Sequence, residues 1–282
     1  MKIIFHCLLL FFSGILAKNL PVRNVINFNA NWKFHLGDVE NAQSTEFNDN
    51  MWQVLNLPHD WSIENGYQKE GKTACSTGFV IGGIGWYRKT FSLSEKDKKK
   101  KIQIMFDGVY NNSSVWINGH LLGTRPNGYS TFSYNLTPYL NFKNKQNIIA
   151  VKVNHDAYTD SRWYTGSGIY RKVRLIKTNP CHFKLNGIHI LANKVEENIA
   201  TIVVNTDLEI KPASPKAKFD IEYQIFDRLG KLVFTKHQLT NKSLNTSVLE
   251  LNDPILWSVQ APNLYHLKVK LINVYPLSVH LL

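Results

Sequence analysis

The feature that most constrains the fold is a recurring alternation of apolar and polar residues in short runs, which turn residues interrupt. Such runs cover residues 101–106, 114–117, 148–153 and 173–176, and no long segment repeats its apolar residues every 3.6 positions. A two-residue alternation places apolar side chains on one face of a strand, whereas a helix requires the longer period. The pattern therefore predicts an all-β chain in which each strand buries one face.

One turn is specific enough to predict a hairpin. Residues 118–119 are Asn-Gly, which follows one apolar run and precedes another at residues 121–122. Both turn residues tolerate positive φ, as a two-residue hairpin requires. On strands of this kind we expect Trp32, Phe106 and Trp116 to be packing residues and not ligands.

A turn cluster at residues 178–180, which ends in a proline, divides the chain into two all-strand regions. Residues 18–178 are predicted to form one β-sandwich. Residues 179–273 contain about the number of strands that an immunoglobulin-like sandwich requires. Those runs are residues 187–191, 199–205, 219–226, 231–236 and 264–271. We expect this second sandwich to lack its last strand, because the tail (residues 274–282) diverges and its Pro276 suits a central strand poorly.

Residues 1–17 have the organisation of a secretory signal peptide. A charged start at Lys2 precedes an apolar core at residues 3–16, and Ala17 is a small residue suited to cleavage. The alternative is a membrane anchor, but the apolar run is about 14 residues long, short of the roughly 18 that a span needs. We expect cleavage after Ala17 and a secreted or periplasmic chain that does not span the membrane.

The cysteines do not indicate a disulfide scaffold or a metal site. Of the three, Cys7 lies in the signal segment, which leaves Cys75 and Cys181. An oxidising compartment would permit them to pair, although two unpaired thiols is the favoured interpretation. No paired Cys or His spacing suggests zinc, so we expect neither a metal nor another cofactor.

The net charge of +12 raises the question of a nucleic-acid partner. The densest basic cluster, residues 96–101, is interrupted by Asp97 and lies between two strand-like runs, so it is interpreted as a solvated loop or hairpin tip. The other lysines are scattered along the chain. We therefore expect no nucleic-acid binding.

Several motifs, in the right order, resemble the amino-terminal module of glycoside hydrolase family 2, which includes β-galactosidases, β-glucuronidases and β-mannosidases. These motifs are NWKF (31–34), LPHDW (57–61), GWYRKTF (85–91), FDGVY (106–110), VWINGH (115–120) and NIIAVKV (147–153). In the second region, PILWS (254–258) with PNLY (262–265) resembles the family's second domain. The resemblance covers nearly the whole chain.

The resemblance implies a jelly-roll-like (galactose-binding-like) β-sandwich followed by an immunoglobulin-like sandwich. Complete relatives continue into a (β/α)8 barrel that carries two catalytic glutamates, one of them within an Asn-Glu pair. This sequence contains no Asn-Glu pair and no barrel. We therefore assign no catalytic residue and leave open whether the chain is an enzyme. We expect a truncated gene product or a fragment of an interrupted reading frame.

The segment at residues 160–175 is similar to the family's sugar-site segment. By this resemblance Asp160 binds sugar hydroxyls, Arg162 holds that carboxylate or donates to an oxygen, and Trp163 or Tyr164 stacks on the apolar face of a pyranose. The alternative, given equal weight, is that Arg162 and Trp163, with Arg171, only fix the loop beneath the sandwich. In relatives the segment matching residues 71–85 also approaches the substrate.

The adjacent pair His59 and Asp60 could suggest acid-base chemistry. Neighbours on a strand or turn point apart and no nucleophile accompanies them, so the motif is interpreted as structural.

Three functions remain open. The first is an incomplete family 2 glycosidase of β-galactosidase type that is inactive alone. The second is a free-standing carbohydrate-binding protein. The third is an assembly module that complements a separate barrel chain or an oligomer partner. The identity of the sugar is left open in all three.

Overall fold

The computed structural model describes residues 23–70, 78–156, 164–211 and 218–274. Within these residues the chain forms sixteen strands and one short helix, α1 (Trp61–Glu64). The paired strands are antiparallel throughout. The predicted all-β class is confirmed.

Two sheets pack face to face in the first sandwich. The smaller sheet contains, in spatial order, β1 (Arg23–Asn27), β10 (Val173–Thr178), β5 (Lys101–Phe106) and β8 (Phe132–Asn135). The larger sheet contains, in spatial order, β3 (Gln53–Leu55), β2 (Trp32–Leu36), β4 (Gly83–Ser92), β9 (Gln146–His155), β6 (Ser113–Ile117) and β7 (His120–Arg125).

The core of this sandwich comes from the alternation read in the sequence. Along β5, Ile102, Ile104 and Phe106 are fully buried, while the residues between them remain partly exposed. Trp32 of β2 is also fully buried in the same cluster. Burial of each such side chain is worth about 1.5–3 kcal/mol. Trp32 and Phe106 are therefore packing residues, as predicted.

The predicted hairpin joins β6 to β7. Its turn residues Asn118 and Gly119 have φ of 48° and 81°. Trp116, however, does not enter the core between the sheets. Because its neighbours Val115 and Ile117 do, the alternation turns Trp116 to the outer face, where it is half-buried.

An outer-face segment (residues 38–52) crosses the larger sheet on the side away from the core. Arg88 of β4, which is 1% exposed, holds this segment in place. Its Nε donates to Asp49 Oδ2 at 2.8 Å, and its Nη1 donates to the carbonyl oxygens of Ser44, at 3.0 Å, and of Ala42. The segment covers part of the outer face and leaves the region around Trp116 open.

The basic cluster lies in a 3₁₀ turn (Glu95–Lys99) between β4 and β5. Lys96, Lys98 and Lys99 are exposed, as expected of a solvated loop. The hairpin-tip interpretation is wrong, because β4 and β5 belong to different sheets and the turn carries the chain from one to the other.

The second sandwich contains six strands in two sheets within the described residues. One sheet contains β11 (His182–Val195), β12 (Ile199–Glu209) and β15 (Leu244–Asn252), and the other contains β14 (Leu232–Thr240), β13 (Lys218–Phe226) and β16 (His266–Val274). Its core includes Val204, Tyr223 and Leu249. Whether a seventh strand completes this sandwich, as in an immunoglobulin-like domain, lies outside the described residues.

Polar contacts join the two sandwiches. Arg23 Nη2 donates to the carbonyl oxygens of Phe183, at 2.5 Å, and of Lys184, at 3.2 Å. Lys101 forms an ion pair with Glu209. His182 is buried at the same junction.

Across the four described ranges, no helix has the length and apolar character that crossing a bilayer requires.

Candidate functional site

The candidate site is the edge of the first sandwich where α1 meets residues 164–168, here called the α1 edge. Asp160, Arg162 and Trp163, three of the four predicted sugar contacts, lie outside the described residues. Tyr164, the fourth, is the first described residue after them. The structure therefore shows the position of Tyr164, the residue that directly follows the other three predicted contacts in the sequence.

Asp60 organises the α1 edge. Its Oδ1 accepts hydrogen bonds from the backbone N–H groups of Ser62, at 3.0 Å, and Ser167, at 2.8 Å. The first of these caps the start of α1, where backbone N–H groups have no partner within the helix. Its Oδ2 accepts a hydrogen bond from the hydroxyl of Tyr164. One carboxylate thus ties the helix to the segment that contains Tyr164.

Tyr164 is held by its hydroxyl and partly exposed along its ring. Tyr164 as a whole residue is 39% exposed. Burial, together with the hydrogen bond to Asp60 and the negative charge of Asp60, raises the pKa of the Tyr164 hydroxyl. The group therefore stays protonated at neutral pH and donates to Asp60, which leaves the ring itself available for contact.

Tyr164 lines a cavity of about 430 Å³ together with Ile63, Tyr67 and Val80. Ile63 is 64% exposed and Tyr67 is 86% exposed, unusual for side chains of this size. A backbone bridge between Tyr67 and Val80 joins the two sides of the cavity. Aromatic and apolar walls with a few polar groups can bind the apolar face of a sugar ring.

His59 is buried near this cavity, and both of its ring nitrogens have hydrogen-bond partners. Its Nδ1 lies 2.7 Å from the hydroxyl of Tyr87 and its Nε2 lies 3.0 Å from Glu64 Oε2. A carboxylate can only accept, so Nε2 donates to Glu64, and Nδ1 lies within hydrogen-bond distance of the Tyr87 hydroxyl. Burial raises the pKa of Tyr87 well above its ordinary value, which keeps its hydroxyl a donor. The interpretation of His59 and Asp60 as structural agrees with these contacts.

A serine-histidine contact at the same edge is also structural. His155 Nδ1 lies 2.6 Å from Ser167 Oγ, and Ser167 Oγ lies 2.5 Å from Ser62 Oγ. Ser62 in turn donates to the carbonyl oxygen of Ile81 at 2.6 Å. The hydroxyl proton of Ser167 therefore points to Ser62, away from His155. Because Ser167 is also fully buried, it is not placed to act as a nucleophile.

Two glycines shape the segment that follows Tyr164. Gly166 and Gly168 have φ of 72° and 120°, which favour glycine. A Cβ on Gly168 would lie 2.3 Å from the Tyr87 hydroxyl oxygen and 2.9 Å from the His59 carbonyl oxygen. Glycine at position 168 therefore allows this segment to pack closely against His59 and Tyr87.

Sequence reasoning missed Ile63 and Tyr67 as cavity residues, because neither lies in a motif with a chemical signature. Val80 and Gly78, which also line the cavity, fall within residues 71–85, a segment that the resemblance places near the substrate. Among the described residues, no group of three or more His, Cys, Asp or Glu side chains is arranged to hold a metal ion. Cys181 is a half-buried free thiol, and Cys75 lies outside the described residues.

Comparison with known protein families gives two consecutive matches. Residues 26–179 match the sugar binding domain of glycosyl hydrolases family 2. Residues 183–275 match a second domain of glycosyl hydrolases family 2. Together these matches cover both sandwiches.

Individual relatives are similar over most of this chain. It is 41% identical over 267 residues to a putative β-glucuronidase of Formosa agariphila, covering 95% of this chain and 25% of that protein. It is 40% identical over 252 residues to the β-galactosidase BoGH2A of Bacteroides ovatus, covering 88% of this chain and 29% of that protein. The crystal structure of a β-glycosidase from Bacteroides vulgatus superposes with a TM-score of 0.81 at 44% identity, covering 88% of this chain and 32% of that one. The chain thus spans about a quarter to a third of the length of these proteins.

Proposed function

The chain belongs to glycosyl hydrolases family 2, and we propose that it supplies the sugar-binding and immunoglobulin-like domains of a β-galactosidase-type enzyme that hydrolyses terminal β-glycosides. The observation that carries the proposal is the pair of family matches, at residues 26–179 and 183–275, on a chain that covers 25–29% of its two relatives named above. The chemistry then belongs to a barrel domain beyond the two sandwiches.

In this proposal the α1 edge forms one wall of the sugar site. Tyr164, Tyr67 and Ile63 supply its apolar surface. Asp160 and Trp163 lie four residues and one residue before Tyr164, and Asp60 anchors Tyr164 through its hydroxyl. A carboxylate accepts hydrogen bonds from sugar hydroxyls, and an indole ring covers the apolar face of a pyranose.

The charges of the α1 edge favour a neutral sugar. Asp60 and Glu64, at the start and end of α1, both carry carboxylates. Asp160 adds a third carboxylate and Arg162 one guanidinium, so a glucuronide would meet an excess of negative charge, which is unfavourable. The relatives include both a β-galactosidase and a putative β-glucuronidase. We therefore propose a galactoside-type substrate over a uronide.

The chain is proposed to be inactive alone. A retaining glycosidase uses two carboxyl groups about 5–5.5 Å apart, one as acid and one as nucleophile. At the α1 edge, Asp60 already accepts three hydrogen bonds and Glu64 is paired with His59. Neither carboxylate is placed to attack a sugar carbon.

Two measurements on the purified 282-residue chain test this proposal. With 4-nitrophenyl β-galactoside we expect no turnover, and turnover that Asp160→Ala abolishes would contradict the proposed inactivity. With methyl β-galactoside, saturation-transfer NMR should detect weak binding that Asp160→Ala removes. The matched control is Glu95→Ala, which removes an exposed carboxylate remote from the α1 edge.

The same measurements separate the alternatives. Glycan binding with no barrel encoded downstream in the locus would favour a free-standing carbohydrate-binding protein. Absence of binding together with complementation by a separate barrel chain would favour an assembly module.

We further propose that the chain is exported, as residues 1–17 suggest. Amino-terminal sequencing of material recovered outside the cytoplasm should begin at Lys18. An uncleaved Met1 in that material would contradict the proposal.

A further inference from the structure

A second cavity, here called the outer cavity, lies on the outer face of the larger sheet. It has a volume of about 510 Å³, within the range of small-molecule sites. Trp86, Trp116 and Lys152 line it from three adjacent strands, and Asp38, Asn41 and Gln43 line it from the outer-face segment. No residue that lines the outer cavity also lines the cavity at the α1 edge.

The floor of the outer cavity is a fixed aromatic platform. The rings of Trp86 and Trp116 stack with centroids 5.4 Å apart and an interplanar angle of 28°. Trp86 is 3% exposed, and its Nε1 donates to Asp38 Oδ1 at 3.2 Å. Trp116 is half-buried, because it packs on Trp86 and keeps part of its surface exposed at the cavity. Such a ring suits stacking against the C–H face of a pyranose.

The walls of the outer cavity carry hydrogen-bonding groups, two of which form an ion pair with each other. Lys152 Nζ donates to Asp38 Oδ2 at 2.8 Å and lies 5.6 Å from the centroid of the Trp86 ring. Asn41 and Gln43 add side-chain amides, which both donate and accept. Sugar hydroxyls also donate and accept, so amide, carboxylate and ammonium groups beside an aromatic ring match them.

The charges at this cavity narrow the class of sugar. Asp38 and Glu40 contribute two carboxylates and Lys152 contributes one ammonium group. The excess of negative charge opposes a uronate. A neutral sugar meets no such repulsion.

We propose that the outer cavity binds one neutral pyranose unit of an oligosaccharide, as a second sugar site separate from the α1 edge. Its ring stacks on Trp116, and its hydroxyls bond to Lys152, Asp38 and Gln43. The site would hold a glycan chain on the enzyme away from the bond that is cleaved.

Titration of the 282-residue chain with β-1,4-galactotetraose and, separately, with cellotetraose tests the proposal. Calorimetry should show binding of at least one of these neutral probes, at least tenfold weaker in Trp116→Ala. The matched control is Tyr139→Ala, which removes a 40% exposed aromatic ring outside the cavity and should leave the affinity unchanged. Tetragalacturonate should bind at least tenfold more weakly than the neutral probes.

Two further variants guard against a loss of fold in Trp116→Ala. Gln43→Ala should weaken binding severalfold, and Trp116→Phe should retain part of the affinity. Failure of both neutral probes to bind, or equal affinities of wild type, Trp116→Ala and Gln43→Ala, would overturn the proposal. Asp160→Ala should leave binding here intact, so failure at the α1 edge is distinguishable from failure at this site.

Discussion

The backbone N–H of Ser167 donates a hydrogen bond of 2.8 Å to Asp60 Oδ1 across 107 positions of sequence. The same carboxylate caps α1 and accepts the Tyr164 hydroxyl. The geometry of the α1 edge therefore depends on one half-buried side chain, which connects a motif in the first quarter of the chain to the predicted sugar-site segment.

Replacing Asp60 should lower stability and disturb the α1 edge. Asp60→Ala removes the helix cap and two further hydrogen bonds, from Ser167 and Tyr164, so we expect a loss of about 1–3 kcal/mol in the free energy of unfolding. Urea denaturation followed by tryptophan fluorescence measures this loss. Asp60→Asn keeps an oxygen for Ser62 and Ser167 and should recover most of it. Equal losses in both variants would mean that the contact with Tyr164 carries the effect.

Arg88 should be the main determinant of the outer-face segment. Arg88→Met removes the hydrogen bonds of this side chain to Asp49 and to the carbonyl oxygens of Ala42 and Ser44, so we expect a loss of about 3 kcal/mol. Limited proteolysis should then cut within residues 38–52, whereas we expect the wild type to resist cleavage there. Lys89→Met, at the neighbouring position of β4, is the matched control and should leave this segment protected. Cleavage at equal rates in both variants would contradict the assignment.

The pairing of Asp49 predicts a dependence of stability on pH. Burial opposes its ionisation, but hydrogen bonds from Lys33 and Arg88 outweigh burial and lower the pKa of Asp49. The lowered pKa stabilises the folded state at pH values above the unfolded pKa of about 3.9. This stabilisation is lost as the pH falls through the pKa of the folded state. Asp49→Asn should therefore be less stable than wild type at pH 7, with a difference that shrinks below about pH 4. A constant difference in urea titrations between pH 7 and pH 3 would argue against this account.

His182 should add a second pH dependence, at the junction of the sandwiches. Burial lowers the pKa of His182, although the nearby charge of Glu209 acts in the opposite direction. The folded state then favours the neutral ring. The contribution of His182 to stability is therefore complete above the unfolded pKa of about 6.5 and is lost as the pH falls toward the pKa of the folded state. Calorimetric melting between pH 7.5 and pH 5.5 should show a steeper decrease for wild type than for His182→Gln. Identical slopes would exclude His182 as the cause.

Local features of this fold could be predicted from the sequence, and long-range ones could not. Asn118 and Gly119 specify their hairpin by backbone preference alone, so the turn was predictable. The alternation around Trp116 shows that it faces opposite to Val115, but it does not reveal which sheet face is covered. The covered face is set by Arg88, which holds residues up to 46 positions away in the sequence. No local sequence pattern predicts such a contact. The family resemblance supplied Tyr164, whereas its hydroxyl partner Asp60 emerged only from the packed structure.

Gly168 should be the least replaceable residue of the α1 edge. Gly168→Ala forces a side chain onto φ of 120° and places its Cβ 2.3 Å from the Tyr87 hydroxyl oxygen, so backbone strain and steric overlap add. We expect a loss of about 3 kcal/mol or more in the free energy of unfolding.

Gly66→Ala is the matched control, because Gly66 has φ of 65° at the end of the same edge and no atom within 4 Å of the added Cβ. Backbone strain alone should cost that variant about 1 kcal/mol. The difference between the two losses, measured by urea denaturation, reports the packing of Gly168 against Tyr87 and His59 together with the greater backbone strain of an alanine at φ of 120°. Equal losses would mean that this packing gives way easily and that the edge is less rigid than its hydrogen bonds indicate.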